Sequence, residues 1–544
     1  MKTIVFLYAG EKSPFMFEKS FDSQSAFDRA LIWASKVDDA EQIVVLSSSQ
    51  NETLVRDAIA VFGGAEKVRV SVKDGWTTSA LLHDLAGKTQ EAGADFAVYA
   101  WGDCPFLDVE LTRTVVASHI KYLAEYTFAD GYPYGFAPET IDRGALNIMA
   151  ALADGVQKQV GDGDVSKTSI FSVMKGDINS FEIETVIAPK DWRQLRLDFS
   201  CSSKGTFLSC KRLYDSAKKQ GVTLGANELT LVAESDAEVQ QTVPSFYNVQ
   251  IASKCCSVCK YCPYPREYEK KNGRTVLQAS QTMSLEQFKA LAAQISSFSD
   301  TAVVGLGAWG EPLTNPRLDE YVREVLSHDG LSALIETDGT LVTAALAAKM
   351  ADVVKASEPR RGGQPALTWI VSLDANDEAK FNALHGTTGN PMDKSQYLKA
   401  CDAVRTLEQY FPGDVYPQFL RVNENEDQLE SFYRYWHDKG SPSMGKLIIQ
   451  KYDSFCGMMS DEKPADLSPL ERNPCWHLKR DMTVLVDGGV PFCRESLLDA
   501  TAGNVFTDGV EKIWAKFKPL VAQQIAKNYN GQCKACDEYY TFNF

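Results

Sequence analysis

A short apolar run, Tyr247 to Ala252, leads into a loop where Cys255, Cys259 and Cys262 stand as C-x3-C-x2-C, with Tyr261 immediately before the last cysteine. Three thiolates so spaced fit a tight loop around an iron–sulfur cube and leave one iron without a protein ligand. A structural zinc site normally closes with four protein ligands, and no histidine follows at finger spacing. Free cysteine also packs as a small buried hydrophobe, but these three sit on a loop that carries Lys254, Ser257, Lys260 and Pro263. Cys256 makes a C-x2-C-x2-C run of its own with Cys259 and Cys262 and is read as a bystander.

The chain has 544 residues, which by length alone suggests roughly three or four domains. No stretch approaches about 18 unbroken apolar residues, so no membrane span is expected. The start, Met1 to Gly10, has the length of a short signal peptide, but Glu11 and Lys12 end its apolar run and it reads as a first buried strand. Thirteen cysteines without a secretory signal point to a reducing, cytoplasmic compartment, and their uneven clustering to metal ligation over disulfides. A net charge of −16 argues against general nucleic-acid binding, which needs a basic surface.

From Met1 to about Ala153 apolar runs (Ile4–Ala9, Gln42–Ser47, Val68–Val72, Phe96–Trp101) alternate with helix-like segments, predicting a mostly parallel α/β sheet. Ligands of such sheets sit beyond the carboxyl ends of the strands. There the fourth run delivers Gly102-Asp103-Cys104-Pro105, followed by a helix expected over Val109 to Ser118. A carboxylate at that edge suits Mg²⁺ with a nucleotide phosphate, and equally a loop or cap. Further on stand Asp130-Gly131-Tyr132-Pro133-Tyr134-Gly135, Glu139, and Arg196-Leu197-Asp198. Residues 221–245 read as a connector, with Thr242-Val243-Pro244 breaking any helix.

Alternation restarts at Tyr247. Strands are expected at Tyr247–Ala252, Ala302–Leu306, Ala333–Glu336, Leu367–Val371, Pro417–Leu420 and Lys446–Gln450, and Ser284 to Gln287 reads as a capping box opening a helix. Six strand–helix units predict a partial (β/α)6 barrel with its site at the strand C-termini. Beyond Cys456, the sequence reads as a hairpin, Thr483–Val486 returning over Val490–Cys493 after Asp487-Gly488-Gly489, then a helix-like Val510 to Phe517. Cys475, Cys493, Cys533 and Cys536 make a complete ligand set for one further cluster, with a zinc ribbon as the rival. Cys456 reads as a loop cysteine near the mouth of the site, with an extra or exchangeable cluster ligand as the alternative.

Three resemblances follow from these residues. The first 220 or so resemble the nucleotidyltransferase (glycosyltransferase-A) fold, especially its cytidylyltransferase branch, through Asp103, the Asp130–Gly135 segment, Glu139 and Asp198. That resemblance implies a nucleotide or Mg²⁺ site at Asp103 and Asp198. The family's glycine-rich loop is absent, and Ala9-Gly10-Glu11-Lys12-Ser13-Pro14 is a poor substitute for amides that cradle phosphates. The middle of the chain resembles the radical S-adenosylmethionine (SAM) superfamily, with Tyr261 as its aromatic residue. It implies a 4Fe–4S cluster on Cys255, Cys259 and Cys262, whose open iron is chelated by SAM. Gly310-Glu311 resembles the second-strand Gly-Gly-Glu that receives the SAM ammonium group, with Trp309 in place of the first glycine. Ser372 and Asp374 resemble the groups that bind the ribose hydroxyls, and Arg421 suits the SAM carboxylate. The C-terminal region resembles the SPASM/twitch extension, implying one auxiliary iron–sulfur cluster of the 4Fe–4S type. The whole order resembles the spiro-SPASM protein family.

The expected architecture is therefore a nucleotidyltransferase-like α/β domain (1–220), a connector (221–245), a partial barrel (246–455) and a small iron–sulfur domain (456–544). The expected activity is reductive cleavage of SAM to a 5′-deoxyadenosyl radical that takes hydrogen from a substrate, with flavodoxin or ferredoxin as electron donor. SPASM-type resemblance favours a peptide or protein substrate; the N-terminal domain suggests instead a sugar or nucleotide-sugar. Two further readings stay open, a nucleotidyltransferase with a sensing or structural metal module and a non-catalytic iron–sulfur interaction protein.

Overall fold

The structure, a computed structural model, describes residues 1–10, 13–160, 163–386, 395–469, 471–529 and 531–541. Glu11 and Lys12 of the segment weighed as a phosphate loop lie outside the described residues. The chain divides into two units, Met1–Thr242 and Val243–Phe544.

The first unit is built on seven strands: β1 Thr3–Ala9, β2 Ala40–Ser47, β3 Val68–Val72, β4 Phe96–Trp101, β5 Tyr126–Asp130, β6 Glu139–Asp142 and β7 Ile183–Ile187. Their order is β3-β2-β1-β4-β6-β5-β7, parallel except for β6, which runs against both neighbours. β1 and β4 are buried along their whole length, as strands covered on both faces must be, and so they read as unbroken apolar runs. Full burial of side chains such as Val5, Phe6 and Leu7 stabilises by about 1.5–3 kcal/mol each. Strand order reverses between β1 and β4, which makes the carboxyl end of β4, where Asp103 follows, the crevice of this sheet.

Residues 221–245, expected as a connector, instead contain the helix Ala226–Ser235. Ala226, Leu229, Thr230 and Ala233 recur at i, i+3, i+4 and i+7 and are buried. Leu229, Val232 and Val239 join Phe106, Phe136, Phe199 and Leu213 in a second core of the unit. The break lies after this helix and the short Ala237–Gln240 turn of helix that follows it, at Val243-Pro244.

The second unit carries β8 Phe246–Val249, β9 Ala302–Gly305, β10 Leu331–Thr337, β11 Leu367–Ser372, β12 Val415–Arg421 and β13 Ile448–Lys451 in chain order, all parallel. Helices return between them, including Leu285–Ser299 with the expected Ser284/Gln287 capping box. This is the curled parallel sheet of a partial barrel.

A seventh strand, β14 Asp481–Val484, extends the sheet on the far side of β8, pairing in parallel from Asp481↔Phe246 to Val484↔Val249. The hairpin expected over Thr483–Cys493 is closed only at its turn, where Leu485 N donates to the Gly489 carbonyl at 2.8 Å. The turn exists, with Gly488 N donating to the Leu485 carbonyl at 2.9 Å. Its arms separate: β14 covers the otherwise open β8 edge, and β15 Gly489–Val490 pairs antiparallel with β16 Gly503–Asn504. The helix expected over Val510–Phe517 stops at Trp514, and a second runs Lys518–Ile525 with Pro519 in its first turn. No helix among the described residues is long and apolar enough to cross a membrane.

Candidate active site

Beyond Val249 the chain enters the cysteine loop, held at both ends. Gln250 N donates to the Val484 carbonyl at 2.8 Å, and the Tyr264 hydroxyl donates to the Ser253 carbonyl at 2.7 Å. Its middle rests on the end of the helix Glu378–His385: Val258 N bonds the His385 carbonyl at 3.2 Å and Lys260 N the Leu384 carbonyl at 2.9 Å. Gly386 closes that helix at φ 58°, and a Cβ there would stand 2.3 Å from the Val258 carbonyl oxygen. Glycine is what allows loop and helix to approach so closely.

Cys255, Cys259 and Cys262 line one cavity of about 200 Å³ at the carboxyl ends of the strands, together with Tyr261, Trp309, Gly310, Glu311, Ser372 and Gln418. Burial pushes the three thiols up, Cys262 to about 11, so free thiols here are neutral and become thiolates only when a metal replaces the proton. Trp309 lies under the cavity, stacked on Tyr264 at 5.9 Å between ring centroids, and its buried indole N–H has no hydrogen-bond partner among the described residues. Three convergent thiols and an orphaned donor are a donor set that fits an iron–sulfur cluster and a polar ligand.

Gly310 takes φ 91°, and a Cβ there would meet the Ala252 carbonyl oxygen at 2.6 Å and that of Lys254 at 2.9 Å. The next residue, Glu311, binds the same loop through its N–H to the Lys254 carbonyl at 2.7 Å. Its carboxyl is 3% exposed and accepts from Thr337 Oγ1 at 2.9 Å, Leu313 N at 3.0 Å and Asp338 N at 3.1 Å. Burial, and then the neighbouring Asp338 charge, push it up to about 8. A cationic ligand would reverse that shift. Asp338, at the end of β10, accepts from Ser257 Oγ at 2.9 Å and so ties the third strand to the cysteine loop.

Two residues expected at the SAM site point elsewhere. Asp374 does not line the cavity: it is 1% exposed, and its carboxylate is taken by the Tyr261 hydroxyl at 2.8 Å and Leu420 N at 2.6 Å, with His385 Nε2 at 3.1 Å. It organises Tyr261 and, at 1% exposure, is turned away from the cavity. Arg421 is forked onto Glu426, with Nε to Oε2 at 2.7 Å, and is also absent from the cavity wall. The cation that faces the cavity is Arg494. Burial opposes its charge, but Glu495, Asp453, Glu538 and Glu336 hold it firmly protonated. Its Nη2 lies 3.3 Å from Asp453 Oδ2. The signal in sequence was its position beside Cys493.

Cys475, Cys493, Cys533 and Cys536 lie near one another, each thiol feeling the charge of at least one other of the set. Gln524 serves two of them, accepting from Cys475 N at 2.8 Å and donating to Cys533 Sγ at 3.5 Å. Cys456 lies beside Cys536, which together with burial pushes its thiol up. It sits in a run of three left-handed residues, Phe455, Cys456 and Gly457, an unusual backbone for the first two. Phe455 lines the first cavity, so neighbouring residues of this loop reach both cysteine sets.

In the first unit, Asp103 and Asp198 come together around a third residue that sequence reading overlooked, Lys167. Lys167 Nζ lies 2.9 Å from Asp198 Oδ2 and 4.5 Å from the centre of the Tyr134 ring. Asp103 is 1% exposed, and burial pushes it up to about 6 against the pull of Lys167.

Among solved structures, a cytidylyltransferase from Leptospira borgpetersenii covers 44% of this chain and 97% of its own at 16% identity, with a TM-score of 0.36. Streptococcus suis SuiB bound to precursor peptide SuiA covers 72% and 84% at 12% identity, with a TM-score of 0.40. An uncharacterized protein of Treponema pallidum (strain Nichols) is 36% identical over 381 residues, 69% of this chain and 98% of the relative. The family model of the SPASM iron–sulfur cluster-binding domain matches residues 475–537, the stretch that holds Cys475, Cys493, Cys533 and Cys536. The chain belongs to the family of that treponemal protein, and its residues 475–537 match the SPASM iron–sulfur cluster-binding domain.

Proposed function

We propose that the cavity at the ends of β8–β12 holds SAM against a 4Fe–4S cluster carried by Cys255, Cys259 and Cys262, and that the enzyme abstracts hydrogen from a C–H bond of a polar substrate, a peptide or protein in the first instance. What carries the reading is that three thiols, Gly310-Glu311 and Ser372, supplied by three separate strand ends, line one cavity. The cluster with SAM supplies, on one-electron reduction by a flavodoxin or ferredoxin, methionine and a 5′-deoxyadenosyl radical.

The residues of the chain do the rest. The Gly310 carbonyl and the Glu311 carboxylate receive the SAM ammonium group, a charge-assisted contact in a nearly dry site. Ser372 takes a ribose hydroxyl. Arg494, in place of Arg421, presents the fixed cation for a carboxylate. Trp309, Tyr264 and Phe455 keep water from the reacting atoms. Cys475, Cys493, Cys533 and Cys536 hold an auxiliary cluster, which would make the net reaction an oxidation by accepting an electron.

The test is anaerobic reconstitution with iron and sulfide, then assay of 5′-deoxyadenosine from SAM and dithionite. Wild type should produce it; the Cys255/Cys259/Cys262→Ala triple variant should not. Arg494→Ala should cut the rate by about 10²-fold through loss of the fixed cation, with Arg421→Ala within about threefold of wild type. A loaded cluster that never cleaves SAM would sink the proposal, and equal loss in both arginine variants would sink the assignment of Arg494.

A further inference from the structure

The fold of the first unit implies a divalent cation between Asp103 and Asp198, and the residues do not fit one. Asp198 is already bound: Oδ2 accepts from Lys167 Nζ at 2.9 Å, and Oδ1 accepts from Lys167 Nζ at 3.3 Å and Ser200 N at 2.9 Å. The same ammonium donates to Ser200 Oγ and lies 3.4 Å from Ser202 Oγ, with the Tyr134 ring 4.5 Å away. Asp103 sits within the electrostatic reach of this ammonium, which opposes the upward push of burial and of Asp198 on its carboxyl. The backbone fastens the cluster on both sides. Cys201 N donates to the Asp103 carbonyl at 2.8 Å and Phe199 N to the Tyr134 carbonyl at 2.9 Å.

A small divalent cation requires near-octahedral oxygen ligation at short range. Here the carboxylate expected to supply it is engaged on both oxygens by a lysine that is 23% exposed along its side chain. Metal and ammonium compete for the same carboxylate oxygens, and their like charges repel across a few ångströms. Lysine brings one positive charge where the metal would bring two. It compensates the two carboxylates without offering a Lewis acid or a bridge to phosphate oxygens.

We propose that the Lys167 ammonium is the resident cation of the Asp103/Asp198 site, that this site excludes Mg²⁺, and that the first unit therefore performs no metal-dependent nucleotidyl transfer. The inference rests on the first unit alone and does not depend on the reading of the cysteine sites.

The test uses the full-length chain and Mn²⁺ as a spectroscopic probe, followed by electron paramagnetic resonance. Wild type should show no bound Mn²⁺ that Asp198→Asn removes. Lys167→Ala should gain a Mn²⁺ site, and adding Asp198→Asn to it should abolish the gain. Lys167→Arg, which keeps the charge, should stay closed. A wild-type Mn²⁺ site lost on Asp198→Asn would overturn the proposal. So would a folded Lys167→Ala chain, checked by circular dichroism, that gains nothing. Were that variant unfolded, the wild-type and Asp198→Asn comparison still decides the matter.

Discussion

Glu139 on β6 shows how one side chain sets a pH dependence. Its carboxyl is pushed from an ordinary 4.5 up to about 8, first by burial and against a hydrogen bond with Tyr126, and its Oε2 has no partner among the described residues. A carboxyl with a raised folded-state pKa binds more protons folded than unfolded, so its contribution is complete below about pH 4.5 and is lost as pH rises towards about 8. Glu139→Gln, which keeps the shape without the charge, should flatten that slope: its melting temperature should equal or fall below wild type at pH 5 and exceed it by a few degrees at pH 8. Parallel wild-type and variant curves across that range would refute the assignment. The same scale explains which site residues sequence could name. Cys255, Cys259, Cys262, Gly310 and Glu311 are tied to fixed spacing or to a strand end, and spacing is visible in a sequence. Asp374 and Arg421 were chosen by type and place. Whether a carboxylate is free depends on Tyr261, 113 residues away, and no local pattern records that.

Elements carry the next set of constraints. In the first sheet β1 to β4 were legible as apolar runs, and in the second β8 to β13, most plainly where burial on both faces leaves the run unbroken; β5, β6 and β7, only partly buried, were not read as strands. Strand partners were not always legible: β14 has the composition of a hairpin arm, and only the vacancy beside β8 decides that it pairs there. The helix Ala226–Ser235 was missed because its short apolar period is flanked by Gly225 and the Val243-Pro244 break, which weigh towards loop. The seat of the cysteine loop on the helix Glu378–His385 is the most exacting of these joints. In Gly386→Ala the new Cβ would press on the Val258 carbonyl at 2.3 Å, and the left-handed backbone would cost about 1–2 kcal/mol besides. The variant should reconstitute with roughly half the wild-type iron, since three-cysteine loop ligation fails and four-cysteine ligation persists. Full iron content with normal deoxyadenosine formation would show that the loop tolerates the shift.

At the scale of the whole molecule, each unit has its own sheet and its own buried clusters, and the boundary at Thr242 is where a cut should leave both cores intact. The other boundary read from the sequence, near Cys456, is a boundary of function without one of folding: β14 belongs to the barrel sheet, and Gln250 binds Val486 N at 3.1 Å as well as the Val484 carbonyl. A chain ended at Pro474 would bare the β8 edge beside the cysteine loop, and exposed edges invite pairing with other chains. It should emerge as aggregate, while Met1–Thr242 expressed alone should melt cooperatively as a monomer; soluble, monomeric 1–474 would contradict this. β14 thus makes the SPASM region a stave of the barrel and not a cartridge that can be exchanged: grafting a tail from another enzyme would have to reproduce the stave before it could deliver its cysteines.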